Sequence, residues 1–108
     1  MRVLFISHPF GGQYSNYKKI KNLIEMLNSY KYTGKYVFVS PVLMFAGLYG
    51  ERTFEEDIEA CKELLDRCDG ILMCGDWKNS VGCMEEYRFA LDSDHLTVTE
   101  LNDFVREM

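Results

Sequence analysis

The sequence has 108 residues, 47% of them hydrophobic, and a formal net charge of −5 from 17 acidic and 12 basic side chains. This length suits one globular domain with its own core, and the apolar content argues against a disordered chain. The acidic balance disfavours binding to polymeric nucleic acid, because such proteins need a basic surface that displaces phosphate counterions. A small anionic ligand held by local N–H groups is compatible with this charge.

No segment approaches the roughly 18 apolar residues of a membrane-spanning helix, so we expect no membrane association. The first apolar run is too short for a secretory signal and fits a strand better. The cysteines form no C-x-x-C pair, and we interpret them as reduced thiols of a cytoplasmic protein. They are Cys61, Cys68, Cys74 and Cys83. We therefore expect one domain over residues 1–108, with neither a metal ion nor a cofactor.

The first part of the chain predicts a strand followed by a helix. Residues 3–6 form a continuous apolar run, which is typical of a central parallel strand, and a loop rich in small residues follows at 7–12. Ser15 or Asn16 is suited to cap a helix with an apolar stripe at helical spacing. The stripe consists of Tyr17, Ile20, Leu23, Ile24 and Leu27.

Residues 36–39 predict a second strand, which Pro41 ends. Residues 41–52 are harder to place, because they are too apolar for a solvated loop and too rich in glycine for a helix. Their apolar side chains, together with Tyr49, are interpreted as the lining of a base pocket, a lid or a subunit contact.

The second half predicts two more strand–helix units. Thr53 and Glu56 form a capping box, and the helix that they open has one apolar face. This face consists of Phe54, Ile58, Cys61, Leu65 and Cys68. Residues 71–74 then predict a strand buried on both faces, followed by another helix. Residues 96–99 predict the last strand, and residues 102–108 a short terminal helix.

This alternation predicts an α/β fold, a three-layer Rossmann-like or flavodoxin-like sandwich around a parallel sheet of four or five strands. In such folds ligands bind at the carboxyl ends of the strands. Three loops are expected to meet at that edge, and they span residues 7–16, 41–52 and 75–82. Their convergence predicts a ligand site there.

The most informative motif is Ser80-x-Gly82-x-x-x-Glu86, at the start of the helix after the third strand. A helix N-terminus attracts an anion, Gly82 lets a phosphate approach the backbone, and Ser80 adds a hydroxyl group. Glu86 lies just over one turn inside the helix, where it can attack an anomeric carbon or stabilise an oxocarbenium-like state. The alternative is that Ser80 only caps the helix and Glu86 is a solvated acid.

The loop after the first strand offers a second wall for the ligand. Gly11 and Gly12 can expose N–H groups to a phosphate or ribose, although an ordinary turn uses the same residues. His8 is either a general acid or base or a structural side chain, and Asn16 is either a helix cap or an amide that faces the ligand. The ligand-binding residues predicted in this region are Ser7, His8, Pro9, Phe10, Gly11, Gly12 and Asn16.

Asp76 and Trp77 follow the third strand at the same edge of the sheet. We predict Asp76 as an auxiliary acid or as an acceptor for a ribose hydroxyl. Trp77 is predicted to stack on a base, and it fits a packing or interface contact equally well.

Taken together, these residues resemble the nucleoside 2-deoxyribosyltransferase-like superfamily, in particular its short members from phage and bacterial genomes. The likeness covers almost the whole chain. It is carried by Ser7-x-Pro9 with Asn16, by Cys68-Asp69 and, most specifically, by Gly75-x-Trp77-x-x-Ser80-x-Gly82-x-x-x-Glu86-x-x-x-Ala90. The resemblance implies cleavage or transfer of an N-glycosidic bond by a homo-oligomer, a dimer or larger, in which adjacent subunits complete the site. It also implies a bacterial or phage-infected host cytoplasm.

The resemblance further implies roles for single residues. Glu86 matches the glutamate that forms a glycosyl-enzyme in this superfamily. Ser80 and the backbone around Gly82 match the site that holds the 5′-phosphate in the related deoxynucleoside-monophosphate N-glycosidases.

The sequence departs from these patterns at two positions. The transferases carry an aspartate where this chain has Ser80, so phosphate-linked chemistry is favoured over transfer between bases. The N-glycosidases carry an acid at the position that aligns near Cys61, where this chain has none, although Asp57 and Glu59 stand nearby.

Three functions from different classes follow. The first is an enzyme that binds a nucleoside phosphate or a related ribose-phosphate and cleaves or transfers its N-glycosidic bond, with Glu86 as nucleophile and Asp76 as auxiliary acid. The second is a non-catalytic protein that senses or sequesters a nucleotide, such as a signalling nucleotide in phage–host conflict. The absence of an acid at the position of Cys61 favours it. The third is an oligomerising structural module whose interface is the apolar segment 42–49.

Overall fold

The computed structural model describes residues 1–29, 32, 34–48 and 50–107. One parallel sheet contains four strands, which are β1 (Arg2–Ser7), β2 (Tyr36–Val39), β3 (Gly70–Met73) and β4 (Thr97–Glu100). They lie side by side in the order β2-β1-β3-β4. Because β2 and β3 flank β1 on opposite sides, the carboxyl ends of β1 and β3 form a topological switch point, where open α/β sheets bind their ligands.

Helices cover both faces of the sheet. They are α1 (Tyr14–Leu27), α2 (Pro41–Phe45), α3 (Phe54–Asp66), α4 (Val81–Asp92) and α5 (Leu101–Glu107), with 3-10 turns at Ala46–Leu48 and Trp77–Asn79. α1 and α5 pack on one face, and α3 and α4 pack on the other. The predicted α/β fold, with helices around a parallel sheet in a Rossmann-like three-layer sandwich, is therefore confirmed. Among the described residues, no helix is long and apolar enough to cross a membrane.

The apolar runs build two cores because successive side chains of a strand point to opposite faces. Leu4 and Ile6 pack with α1 and α5, whereas Phe5 packs with α3 and α4. β3 repeats this division, with Leu72 on the first face and Ile71 on the second. Every residue of β3 is buried, as its continuous apolar sequence predicts.

The predicted cap of α1 is wrong. The helix begins at Tyr14 and Gln13 precedes it without a side-chain hydrogen bond, so Ser15 and Asn16 lie inside the first turn. The Asn16 amide instead donates to the Phe10 carbonyl at 3.0 Å. Asn16 therefore contacts the preceding loop and does not cap α1.

The segment that the sequence left unassigned contains α2. The Ser40 hydroxyl caps this short helix by accepting a hydrogen bond from the Leu43 N–H at 3.2 Å, and Pro41 occupies its first turn. The following 3-10 turn leads toward α3, whose predicted capping box between Thr53 and Glu56 is formed in both directions. Tyr49, predicted to belong to the apolar surface of this segment, lies outside the described residues.

Candidate functional site

A cavity of about 310 Å³ lies at the carboxyl edge of the sheet. Its volume is at the lower end of the roughly 300–1,000 Å³ that small-molecule sites occupy. All three loops predicted to converge contribute to its wall, and α3 adds a side that the sequence did not predict. The apolar part of the lining includes Phe10, Val42, Phe45, Phe54, Ile58 and Val81, and the polar part includes His8, Arg52, Asp57, Cys61, Ser80 and Glu86.

Glu86 is the buried acid of this cavity. It lies in the second turn of α4, only 6% of its surface is exposed, and it contributes to the cavity lining. The Ser7 hydroxyl, at the end of β1, donates to Oε1 of Glu86 at 2.7 Å. The Cys61 thiol of α3 is a second donor to the carboxyl group. Ser7, a predicted ligand-binding residue, is fully buried and is not among the residues that line the cavity.

Burial changes the acidity of this cluster. It raises the pKa of Glu86 from 4.5 to about 7, because the low-dielectric surroundings penalise the charged form, while the bonds from Ser7 and Cys61 act in the opposite direction. Burial and the nearby Glu86 raise the pKa of the Cys61 thiol to about 12, so this thiol keeps its proton. Glu86 therefore changes its protonation near neutral pH, in the range that suits reactive carboxyl groups.

The start of α4 forms another part of the wall. Ser80 precedes the helix in an extended conformation, and its hydroxyl accepts a hydrogen bond from the Cys83 N–H at 3.2 Å. It is therefore a helix cap, as the alternative interpretation states, and it also lines the cavity. A Cβ atom on Gly82 would lie 3.8 Å from Cδ1 of Ile58, which is an ordinary contact. Packing within the protein therefore does not require glycine at position 82.

The turn after β1 exposes its backbone through two glycines. Gly11 and Gly12 have φ angles of 59° and 72°, in the left-handed region that favours glycine. Phe10 and Gly11 line the cavity, whereas the described lining does not include Gly12. The Asn16 amide lies behind the turn and holds the Phe10 carbonyl, so it supports the wall without belonging to it.

His8 lines the cavity in a fixed orientation. Its Nδ1 atom lies 2.8 Å from the Pro9 carbonyl oxygen, which can only accept, so Nδ1 carries the proton of this bond. A Cβ atom on Gly75 would lie 2.8 Å from Nε2 of His8. Glycine at position 75, with a φ of 61°, therefore makes room for the imidazole ring. Pro9 contributes its carbonyl group and is not among the lining residues.

The structure does not bring Asp76 and Trp77 to this cavity. Asp76 is exposed, and both of its carboxylate oxygens accept from the Asn79 amide, at 2.9 and 3.1 Å. Trp77 is buried in the core beside Tyr87, with ring centroids 4.9 Å apart. The packing alternative stated for Trp77 therefore describes its position. Trp77 lines a different cavity, next to β4.

Sequence reasoning missed an ion pair in the wall. Nε of Arg52 lies 2.9 Å from Oδ1 of Asp57, and the Arg52 guanidinium carbon lies 4.9 Å above the Phe45 ring centre. Both charged residues line the cavity. Asp57 precedes Cys61 by four residues, so the helical spacing that placed Cys61 on the apolar face of α3 also places Asp57 there. For Arg52, the sequence carried no comparable signal.

The fold and the cavity define a doubly wound α/β protein with a ligand-sized cavity at its switch point. Within this class, the chain belongs to the family DUF4406, described as a domain of unknown function, whose family model matches residues 2–99. That match includes the whole sheet except the last residue of β4, and all residues that line the cavity. No curated protein and no solved structure matches the sequence.

Proposed function

We propose that this protein binds a nucleoside phosphate, or a related ribose-phosphate, and cleaves or transfers its N-glycosidic bond with Glu86 as the nucleophile. One observation carries the proposal. Glu86 is buried, held by Ser7 at 2.7 Å, and contributes to a ligand-sized cavity whose wall includes a helix N-terminus. A carboxyl group that is neither solvated nor ion-paired, and that faces a cavity, is a candidate for chemistry rather than for stability.

The residues that line the cavity suggest how such a ligand lies. Its phosphate is placed at the start of α4, beside Ser80, Gly82 and the Gly11 turn, where backbone N–H groups and the helix dipole favour an anion. Glu86 lies six residues after Ser80, which corresponds to a rise of about 9 Å along a helix. This distance leaves room for the phosphate and the ribose. The base then lies against the apolar side chains of α2, including Phe45.

The reaction takes two steps. In the first, an Oε atom of ionised Glu86 bonds to C1′, the C1′–N bond breaks, and its electron pair leaves with the base, which takes up a proton from solvent. In the second, water attacks C1′ and displaces Glu86, which leaves as a carboxylate with the electron pair of the ester bond. The proton of this water passes through the Asp57 carboxylate to solvent and balances the proton that the base took up. A second base in place of water gives transfer. Among the described lining residues, Asp57 is the other carboxyl group. Because it pairs with Arg52 as a carboxylate, we assign to it the acceptor part of the role predicted for Asp76.

A second candidate is a nucleotide-binding protein without catalysis, and one observation favours it. The α3 side chain that donates to Glu86 is the Cys61 thiol, whose pKa of about 12 prevents it from acting as an acid or base near neutrality. Such a protein binds its nucleotide in the same cavity and returns it unchanged.

Product analysis separates these candidates. The wild-type protein is incubated with nucleoside monophosphates, and free base is measured by chromatography. We expect the Glu86→Gln variant to release no base while nucleotides still raise its melting temperature. Glu85→Gln is the matched control, because Glu85 neighbours Glu86 but pairs with Lys62 at 3.4 Å and is not among the lining residues.

The possible results of this experiment have different consequences for the two candidates. Base release by Glu86→Gln at the wild-type rate removes Glu86 from the mechanism. Binding by the wild type without base release supports the second candidate. If no nucleotide raises the melting temperature, both candidates are contradicted.

A further inference from the structure

We infer that Arg52 selects the base, so that the cavity prefers nucleotides whose base presents a carbonyl oxygen over those that present an amino group at the same place. The inference rests on the proposed function, because it names the substrate class of that site. The preferred bases are guanine, hypoxanthine, uracil and thymine, and the disfavoured bases are adenine and cytosine.

Arg52 is the only lysine or arginine among the described residues that line the cavity. It precedes α3 and contacts Phe45 at the end of α2, so it belongs to the wall against which the base is placed. The phosphate is placed at a different wall, at the start of α4. Among the described lining residues, Arg52 is therefore the cation available to the base.

Two contacts fix the plane of the guanidinium group. The Phe45 ring lies 4.9 Å below its carbon atom, and Oδ1 of Asp57 lies 2.9 Å from Nε. Asp57 and Arg52 are close enough for an ion pair, but the N–H of Nε is not aligned for a hydrogen bond to Oδ1. Nε is therefore buried with no hydrogen-bond partner among the described residues. Arginine carries five N–H donors in a planar fork. Nε has almost no accessible surface, so a ligand in the cavity can pair only with the terminal N–H groups of the fork.

The chemistry of the fork determines which ligands fit. A guanidinium group donates and never accepts, so it pairs with O6 and N7 of guanine or with O4 of uracil and opposes the amino groups of adenine and cytosine. It also stabilises the negative charge that develops on a carbonyl-bearing base as the C1′–N bond breaks. A phosphate dianion fits this place less well, because the Asp57 carboxylate lies 2.9 Å from Nε of Arg52 and repels it.

Binding is measured by calorimetry in the Glu86→Gln background, which prevents turnover, with GMP against AMP and with UMP against CMP. We expect GMP and UMP to bind at least about tenfold more tightly than their partners, as one well-placed pair of hydrogen bonds provides. The Arg52→Ala and Arg52→Lys variants should bring both ratios close to one, because lysine keeps the charge and loses the fork. The affinities for AMP and CMP should change less than those for GMP and UMP.

Arg67→Ala is the matched control. Arg67 follows α3 at the end away from the cavity, pairs with Glu63 at 2.9 Å, and has a side chain that is 71% exposed. This variant should keep both ratios. If Arg52→Ala does not fold, the binding ratios of Arg52→Lys test the inference alone. The same comparison can be repeated with kcat/KM for base release, measured for GMP against AMP and for UMP against CMP with Glu86 intact.

Three results contradict the inference in distinguishable ways. Equal binding of the paired nucleotides overturns base selection and leaves the proposed function intact. If Arg52→Ala weakens all four nucleotides equally and leaves the corresponding nucleosides unaffected, Arg52 binds the phosphate and the inference is wrong. If none of the four nucleotides binds, the proposed function fails and base selection fails with it.

Discussion

Burial makes Glu86 a source of instability at neutral pH. Its pKa rises from 4.5 in the unfolded chain to about 7 in the fold, because the surroundings exclude water from the carboxyl group. Between these two values the folded protein holds more protons than the unfolded chain, so the free energy of unfolding falls as the pH rises. The full penalty is present above about pH 7 and absent below 4.5. Its size is about 3 kcal/mol.

Replacing this carboxyl group by an amide should remove the penalty. We expect Glu86→Gln to exceed the wild type in free energy of unfolding by up to about 3 kcal/mol at pH 8, and to equal it near pH 4. Urea denaturation at several pH values measures the difference. Glu85→Gln should follow the wild-type pH dependence. A constant difference between Glu86→Gln and the wild type at all pH values would show that Glu86 is not titrating in a buried site.

Ser7 should set the pH at which Glu86 becomes a nucleophile. Its hydroxyl donates to the carboxylate and lowers the pKa of Glu86 against the effect of burial. In Ser7→Ala the rise of kcat/KM with pH should therefore move to higher pH by about one unit, as expected for the loss of a hydrogen bond to a charged group. Base release between pH 5 and 9 is the measurement.

The conservative variant Ser7→Thr keeps the hydroxyl group and should restore the wild-type profile. Superimposable profiles for Ser7→Ala and the wild type would exclude the proposed role of Ser7.

The sequence was sufficient to nominate Glu86 but not to find its partners. A buried strand, a turn and a cap were enough to place Glu86 near the start of a helix at the sheet edge. Ser7 is 79 residues away, and only the parallel pairing of β1 with β3 brings the two together. The contact between Arg52 and Phe45 depends on how the 41–52 segment folds back, which no local pattern encodes.

At the scale of elements, the stability of α3 should depend on its capping box. Oγ1 of Thr53 accepts from the Glu56 N–H at 3.1 Å, and Oε1 of Glu56 accepts from the Thr53 N–H at 2.8 Å. We expect Thr53→Ala to lower the free energy of unfolding by about 1 kcal/mol. Thr53→Ser keeps the hydroxyl group and should retain most of this contribution. The urea midpoint measures both. Equal midpoints for Thr53→Ala and the wild type would mean that packing alone holds the start of α3.

Local patterns predicted the elements that local interactions determine. The α3 capping box and the fully buried β3 both follow from neighbouring residues. α1 starts earlier than predicted: it follows Gln13 without a side-chain cap, and the Asn16 amide donates to the preceding loop instead of capping the helix. The short α2 forms in a glycine-rich segment because Ser40 and Pro41 supply its cap and its first turn.

At the scale of the whole molecule, the position of the site followed from topology. Parallel strands bring their carboxyl ends to one edge, so the three loops had to meet there. The wall that α3 contributes to the cavity does not follow from the sequence. A crossover helix packs back onto the sheet at an angle and an offset that residue spacing does not specify. Asp57 and Cys61 reach the cavity for this reason.

Exposed apolar side chains at the cavity offer a surface for the self-association that the resemblance implies. Phe54 and Val81 line the cavity and are 53% and 67% exposed, although side chains of this kind are usually covered. We expect sedimentation velocity to give a dimer or a larger assembly, and Phe54→Asp to dissociate it. Leu91→Asp is the control, since Leu91 is 56% exposed at the other end of α4. A monomeric wild type at tens of micromolar would contradict the prediction.

The central claim is that a nucleoside monophosphate occupies the cavity with its C1′ atom next to the side chain of residue 86. A crystal structure of the Glu86→Gln variant with GMP bound tests this most directly. We predict the phosphate at Ser80 and Gly82, and C1′ about 3–3.5 Å from the side chain at position 86, as a near-attack geometry requires. A nucleotide bound elsewhere on the protein, or one whose C1′ atom faces away from position 86, would contradict the claim.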